Sequence, residues 1–220
     1  MQEIIRVSDV EKYYGNGDQV TKAVDRVSFA VQQGEFIGVM GASGSGKTTL
    51  LNILAALDKP TEGKVYLKGN DLGNLKEKDI AAFRRQNMGF VFQDFNLLDT
   101  FSLKDNIYLP LVLSGAKYNT MEKRLTPIAE KLGITQILDK YPYEVSGGQK
   151  QRAAIARALI TKPQLILADE PSGALDSKAA DSRMNLFTTI NQDGQTILMV
   201  THSVKAASSA NRILFIKDGE

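Results

Sequence analysis

Gly41-Ala42-Ser43-Gly44-Ser45-Gly46-Lys47-Thr48 lies between a strand-like run, Phe36 to Met40, and a helix-like run, Thr49 to Leu57. The spacing G-x-x-x-x-G-K-[ST] in a strand–loop–helix setting is that of a phosphate loop. Gly41, Gly44 and Gly46, with the small Ser43 and Ser45, let the backbone fold tightly. Its N–H groups, and those opening the following helix at Thr49, can then point at a triphosphate. Lys47 is placed for the β- and γ-phosphates, and the Thr48 hydroxyl for Mg²⁺. A flexible Gly/Ser loop is the plain alternative, and the flanking strand and helix argue against it.

The rest of the composition leaves room for one good-sized α/β domain or two small ones. The chain has 220 residues with 43% hydrophobic content, ordinary for a globular core. Lys and Arg total 27 against 25 Asp and Glu, a net charge of +2. That weak field does not argue for nucleic acid or an anionic membrane surface, and no nucleic-acid partner is expected. The absence of cysteine excludes disulfides, thiolate zinc sites and cysteine catalysis. No apolar run approaches the ~18 residues of a membrane span, and Met1-Gln2-Glu3 does not begin a signal peptide, so a cytosolic chain is expected.

Upstream of the loop, residues 3 to 10 read as a strand, and Val27, Phe29 and Val31 alternate as a half-buried antiparallel strand does. Between them Tyr13-Tyr14-Gly15-Asn16-Gly17-Asp18 reads as a turn-rich loop with two aromatics that alternation does not explain. One of them could stack on a base. Taken alone, a half-buried loop tyrosine with only its hydroxyl wet is the better reading.

Downstream, Asp58 to Gly63 is a turn, Lys64 to Leu67 a short strand, Gly69-Asn70-Asp71 another turn, and 76 to 86 a helix. Met88 to Phe92 is an apolar strand stopping at Gln93, whose amide could ligate Mg²⁺ or water, although a lone glutamine is more often a solvated loop residue. From Leu97 to Tyr143 the period becomes helical, over Leu103 to Leu113, Met121 to Leu132 and a short piece near Ile134 to Leu138, which reads as a helical insertion. Ile107 to Leu113 is more apolar than an exposed helix should be, so it is insertion core or, in part, a partner surface.

Ser146 is a natural N-cap for a helix over Lys150 to Ile160, and Gly147-Gly148 would let a phosphate approach the exposed N–H groups there. Leu165 to Ala168 has the look of a buried parallel strand and ends in Asp169-Glu170. Carboxylates at that edge lie where doubly wound sheets bind ligands: Asp169 can hold Mg²⁺ through water and Glu170 can accept a proton from attacking water. A helix from about Lys178 to Ile190 follows, then the strand Ile197 to Val200 ending in Thr201-His202, where the His202 ring could reach a γ-phosphate. Ile213 to Ile216 is a last strand, and Lys217 to Glu220 a hairpin turn without a second arm, so the natural chain is expected to continue.

With these residues assembled, the chain resembles the ATP-binding subunit of ABC transporters over essentially its whole length. Val145-Ser146-Gly147-Gly148-Gln149 resembles the family's LSGGQ signature with Val for Leu, and Ala156-Arg157-Ala158-Leu159 follows it. The order also matches: phosphate loop, Q-loop Gln93, signature, Walker B with Asp169 and Glu170, D-loop Ser172 to Asp176, switch His202. The resemblance implies a P-loop NTPase (RecA-like) α/β core, about 1–95 and 146–220, with an N-terminal antiparallel β subdomain and an α-helical subdomain inserted at about 96–145. It makes Tyr14 the adenine-stacking aromatic, with Tyr13 the second choice. It implies ATP and Mg²⁺, with Gln149 also at the nucleotide. Partners would be a second copy in a head-to-tail ATP sandwich and a separate integral membrane permease, placing the chain at the inner face of the cell membrane.

Gly44 to Leu54, Asp58 to Gly63 and Phe90 to Gln93 are similar to the lipoprotein-release and macrolide-export group. Pro171 to Asp176 and His202 to Ala207 look most like the bacitracin-type antimicrobial-peptide resistance ATPases of Gram-positive bacteria. The competing class, DNA-repair and chromosome-structuring or other regulatory ATPases, carries long coiled coils or paired domains, which this sequence lacks.

Overall fold

The computed structural model describes residues 2–15, 20–169 and 177–220, with side chains left out at 177–183. Its centre is a parallel sheet in the order β6-β7-β8-β3-β9, formed by β3 (Phe36–Met40), β6 (Met88–Val91), β7 (Leu165–Asp169), β8 (Thr196–Thr201) and β9 (Arg212–Phe215). Every residue of β8 is buried, as are Leu165 to Ala168 of β7, which explains their unbroken apolar sequences. Successive side chains serve opposite faces, so one strand feeds two cores. Leu167, Leu198 and Val200 join Val10, Val31 and Leu50 on one side, while Ile166, Ile197 and Met199 join Ile107, Ile155 and Phe187 on the other.

The first core is roofed by an antiparallel sheet in the order β2-β1-β4-β5: β1 (Glu3–Tyr14), β2 (Thr21–Gln32), β4 (Glu62–Leu67) and β5 (Asn70–Asp71). Helix α1 (Lys47–Leu54) fills the space between the sheets. Eight residues are too few to be helical alone in water. Leu50, Ile53 and Leu54 are each 1% exposed, and burying such side chains stabilises by roughly 1.5–3 kcal/mol apiece. Tertiary packing therefore holds the helix that follows the phosphate loop.

The second core carries most of the other helices. α2 (Glu77–Asn87) is the exception: it lies against β6 with Ile80 and Phe83 on the first core. α3 (Leu103–Val112), α4 (Tyr118–Leu132) and α5 (Gly147–Leu159) pack together, with 3₁₀ turns at Thr135–Ile137 and Pro142–Glu144. α6 (Ser177–Gln192) and α7 (Val204–Ala207) complete the layer. No strand occurs between β6 and β7 among the described residues, as helix periodicity predicts. Asn106, wholly buried, accepts from the Leu98 N–H at 2.7 Å and donates to the carbonyls of Leu98 and Ser102, which pins the 98–102 segment on α3.

Several boundaries differ from the sequence expectation. Tyr13 and Tyr14 lie at the end of β1, paired with Lys22 and Thr21, and not in a loop. Asn70 and Asp71 form a short strand against Leu67 and Tyr66, the turn being confined to Lys68-Gly69. Helix α5 begins at Gly147, three residues ahead of Lys150, because the Ser146 cap carries both glycines into the first turn. Ile107 to Leu113 divides by face: Ile107, Tyr108 and Leu111 are core, whereas Val112 and Leu113 are more than half exposed.

Candidate functional site

The parallel strands end along one edge, and the predicted site residues follow that edge. Met40 of β3 pairs with Thr201 of β8, so Gly41 and His202 leave neighbouring strands side by side. Asp169 of β7 pairs with Val200, and Val91 of β6 pairs with Ala168, with Gln93 two residues further on. β8 thus lies between β7 and β3, which sets His202 beside the ends of the strands that lead to Asp169 and to the phosphate loop. Gln93 and His202 are exposed and Asp169 half-buried. Glu170 and the D-loop residues Ser172 to Asp176 lie outside the described residues.

The phosphate loop is built for close approach. A Cβ on Gly41 would stand 2.2 Å from the Ile216 carbonyl oxygen and 2.4 Å from Ser45 Oγ. Gly46 has φ +97°, and a Cβ there would meet the Ala23 carbonyl oxygen at 2.1 Å, so no other residue fits. Gly46 also occupies the N-cap of α1 without a side-chain cap, which leaves the first N–H groups of the helix to an outside acceptor. Ser45 Oγ is buried and has no hydrogen-bond partner. Lys47, only 6% exposed, folds back and donates from Nζ to the Ala42 carbonyl at 2.6 Å. An orphaned hydroxyl, uncapped helix N–H groups and an ammonium held by one neutral carbonyl form a donor set that fits a polyphosphate. Thr48 is exposed at the same place and Thr49 half-buried behind it.

For a divalent cation the available donors are the Thr48 hydroxyl, the Gln93 amide oxygen and the Asp169 carboxylate, all hard oxygen ligands suited to Mg²⁺. Among the described residues no cluster of three or more His, Cys, Asp or Glu could hold a metal unaided.

Behind Gln93 the chain makes a strained turn. Phe95 has φ +62° and Asn96 φ +45°, both left-handed and both without the freedom of glycine. The Arg157 guanidinium of α5 donates to the Phe95 and Asn96 carbonyls at 2.6 Å each. Burial lowers the Arg157 pKa, yet a guanidinium remains charged. In the sequence Arg157 has no evident task; the available signal is a lone cation among Ala153, Ala154, Ile155, Ala156 and Ala158, all buried.

At the other end of α5, Ser146 Oγ accepts from the Gln149 N–H at 3.3 Å and Gln149 Oε1 accepts from the Ser146 N–H at 2.9 Å. This capping box spends the Gln149 side chain on the backbone and leaves the N–H groups of Gly147 and Gly148 at the helix start without an intrahelical acceptor. Both glycines are exposed, and a Cβ on either would meet nothing within 4 Å. α1 packs on β2, β7 and β8, whereas α5 packs on α3, α4, α6 and β6, so the two helix N-termini belong to different parts of the fold.

Of the two tyrosines, Tyr13 is half-buried, its hydroxyl bonded to Glu11 and Lys22 over its ring. Tyr14 is 44% exposed. Its hydroxyl donates to Asp58 Oδ2 at 2.9 Å and Lys12 Nζ stands 5.1 Å from its ring centroid. The pairing of Lys12 with Asp58 is not legible in the sequence because 46 residues separate them.

An apolar groove of about 370 Å³ opens between β6, α2, α3 and α5, lined by Phe90, Phe92, Leu109, Pro110 and Leu113 with Arg84, Arg85 and Arg157. Arg85 Nε is buried there without a hydrogen-bond partner. No helix among the described residues is long and apolar enough to cross a membrane.

Comparison with known proteins places these features in a family. The model of the ABC transporter family matches residues 24–173. The chain is 52% identical over 219 residues to the uncharacterized ABC transporter ATP-binding protein YvcR of Bacillus subtilis (strain 168), covering 98% of this chain and 85% of that one. It is 47% identical over 221 residues to the bacitracin export ATP-binding protein BceA of Halalkalibacterium halodurans, covering 99% and 86%. Among solved structures, the dimeric post-hydrolysis state of the ATP-binding cassette MJ0796 bound to ADP and Pi superposes with a TM-score of 0.86 at 39% identity, covering 99% of this chain and 96% of that one.

Proposed function

The chain belongs to the ABC transporter family as an ATP-binding, ATP-hydrolysing component, and from that premise we propose how its residues divide the work. The phosphates of ATP sit on the Gly41–Thr48 loop, with Lys47 on the β/γ-phosphates, Ser45 and the α1 N–H groups around them, and adenine on Tyr14. Thr48, Gln93 and Asp169 would hold Mg²⁺, which would supply charge neutralisation at the phosphate oxygens when bound. Glu170 takes the proton of the attacking water, and His202 faces the γ-phosphate from the end of β8. The observation that carries this reading is the phosphate loop itself, with its orphaned Ser45 hydroxyl and uncapped α1.

Each site is completed by a second copy. The exposed Ser146-Gly147-Gly148 helix start has room for a phosphate, yet it belongs to a different part of the fold from α1. A head-to-tail pair brings each signature to the other chain's nucleotide, and the solved relative is described as dimeric. The Phe90–Leu113 groove receives a cytoplasmic segment of a separate membrane permease, which places the chain on the inner face of the membrane. Similarity to a bacitracin export ATP-binding protein supports antimicrobial-peptide export as the driven process.

Mixing two inactive variants tests the shared site. Lys47→Ala removes the main cation at the β/γ-phosphates, and Gly148→Glu sets a carboxylate against the partner's γ-phosphate. A mixed dimer has one interface carrying both defects and one carrying neither, so single-turnover hydrolysis returns on mixing. Wild-type specific activity that stays flat down to dilutions where sedimentation finds only monomer, with no recovery on mixing, excludes the shared site.

A further inference from the structure

We infer that Asp58, together with Lys12, is a positioning pair that fixes the Tyr14 ring as the platform for a purine base. Asp58 holds the ring from the segment that also carries the phosphate loop's lysine, and Lys12 from the same strand as Tyr14. The inference rests on the proposed stacking of adenine on Tyr14.

An exposed tyrosine at a strand end loses rotamer freedom when a ligand stacks on it, at about 0.5–1.5 kcal/mol for an immobilised side chain. Here that ordering is largely done beforehand. The phenol donates to Asp58 Oδ2 at 2.9 Å, Asp58 Oδ1 accepts from Lys12 Nζ at 2.7 Å, and Lys12 also donates to the Lys59 carbonyl at 2.8 Å. The ammonium lies 5.1 Å from the ring centroid while the residue stays 44% exposed, so the cation covers part of the ring and leaves the rest open. The backbone is fastened as well: the Tyr13 N–H donates to Thr61 Oγ1 at 3.1 Å and the Thr61 N–H to the Glu11 carbonyl at 2.8 Å.

Asp58 is not an isolated surface carboxylate. The N–H groups of Leu57 and Asp58 both donate to the Asn52 carbonyl, at 2.9 and 3.2 Å, so the turn bearing Asp58 is the continuation of α1. α1 begins at Lys47. One short segment therefore carries the phosphate lysine at its start and the tether of the base platform at its end, which fixes the spacing between the two. Burial opposes ionisation of Asp58, but hydrogen bonds from Lys12, Tyr14 and the Lys59 N–H outweigh it and hold the carboxyl below its usual range. Burial, then the bond to Asp58, raises the Tyr14 phenol. At neutral pH the pair is carboxylate and phenol, with one sense of donation.

The test compares binding of ADP with binding of pyrophosphate, which lacks the base, by calorimetry on the whole chain with Mg²⁺. Tyr14→Phe keeps the ring and removes the tether; Asp58→Ala removes the acceptor; Tyr14→Ala removes the platform. Tyr14→Phe and Asp58→Ala should each weaken ADP by roughly three- to tenfold, with pyrophosphate unchanged within about twofold. Asp58→Ala should add nothing in the Tyr14→Ala background. Unchanged ADP affinity in Tyr14→Phe and Asp58→Ala, beside a loss in Tyr14→Ala, overturns the tether and keeps the stack. Unchanged ADP affinity in Tyr14→Ala overturns the stack and the inference with it. Equal weakening of ADP and pyrophosphate shows that Asp58 acts through the fold of α1 and also overturns the inference. If Asp58→Ala does not fold, Tyr14→Phe decides alone.

Discussion

Replacing Arg157 by alanine should loosen the turn behind Gln93 far more than it loosens the rest of the chain. The guanidinium makes two short bonds, 2.6 Å each, to the carbonyls of Phe95 and Asn96. Hydrogen bonds to a charged group contribute about 1.5–3 kcal/mol apiece, so the pair is worth roughly 3–6 kcal/mol to the closed turn. Against this stands the left-handed φ of Phe95, at about 1–2 kcal/mol, whereas asparagine at 96 tolerates that region. The surplus, roughly 2–4 kcal/mol, comes from Arg157, and without it the strain of Phe95 is opposed only by the turn's own backbone bonds. The turn has its own bonds, Phe95 N–H to the Phe92 carbonyl at 3.1 Å and Asn96 N–H to the Asp94 carbonyl at 2.7 Å, and these amides report its opening.

The assay is amide exchange in Arg157→Ala, Arg157→Lys and wild type under one set of conditions. A loss of about 3 kcal/mol corresponds to roughly a hundredfold faster exchange at Phe95 and Asn96 if opening is rate-determining by population. Amides of β7 and β8, in the core, should change by much less. Arg157→Lys should fall between, because an ammonium lacks the planar fork that reaches two carbonyls at once. Exchange at Phe95 and Asn96 within about threefold of wild type in Arg157→Ala, with a lowered Tm, would refute the reasoning and leave Arg157 a packing residue of α5.

Glu170→Gln should bind Mg·ATP while turnover falls by about 10² or more, the scale of a general base; hydrolysis within a few-fold of wild type would make Glu170 structural. Leu113→Glu, at a position 61% exposed in the apolar groove, should leave stability within about 0.5 kcal/mol and abolish co-purification with a membrane permease, whereas Leu111→Glu, 4% exposed, should fail to fold; retained co-purification by Leu113→Glu would remove the groove as the docking site. The Asp58 carboxyl titrates below its ordinary 3.8, so its stabilisation is present above that pH and is lost as pH falls through the depressed value. The Tm difference between wild type and Asp58→Asn should accordingly be constant above about pH 5 and shrink below pH 3.8, and a difference that persists unchanged to pH 3 would exclude the charge as its source.

What the sequence made legible is what depends on neighbours along the chain. The phosphate loop, the buried strands ending at Asp169 and Thr201, and the cap at Ser146 are each determined within a few residues, by backbone freedom, by period or by a side chain reaching its own backbone. What it hid depends on groups distant in sequence that meet only after folding. Tyr14 looked like a loop aromatic because turn residues follow it; it is a strand residue because β2 pairs with it through Thr21. Asp58 looked like the first residue of a turn; its carboxylate serves Lys12 and Tyr14 on β1, 46 and 44 residues away. Arg157 sat in a recognisable motif, yet its task depends on a left-handed pair 61 and 62 residues away, which no local pattern encodes. Leu111 and Leu113 differ by two positions in one apolar run, and only the packing of α3 on α5 separates core from surface. The nucleotide-facing elements are therefore read locally, and the residues that hold those elements in register are read only from the fold. The two sets answer to different experiments: a change in the first should alter chemistry or phosphate binding, a change in the second should alter base binding, loop exchange or partner capture while the phosphate loop keeps its own affinity.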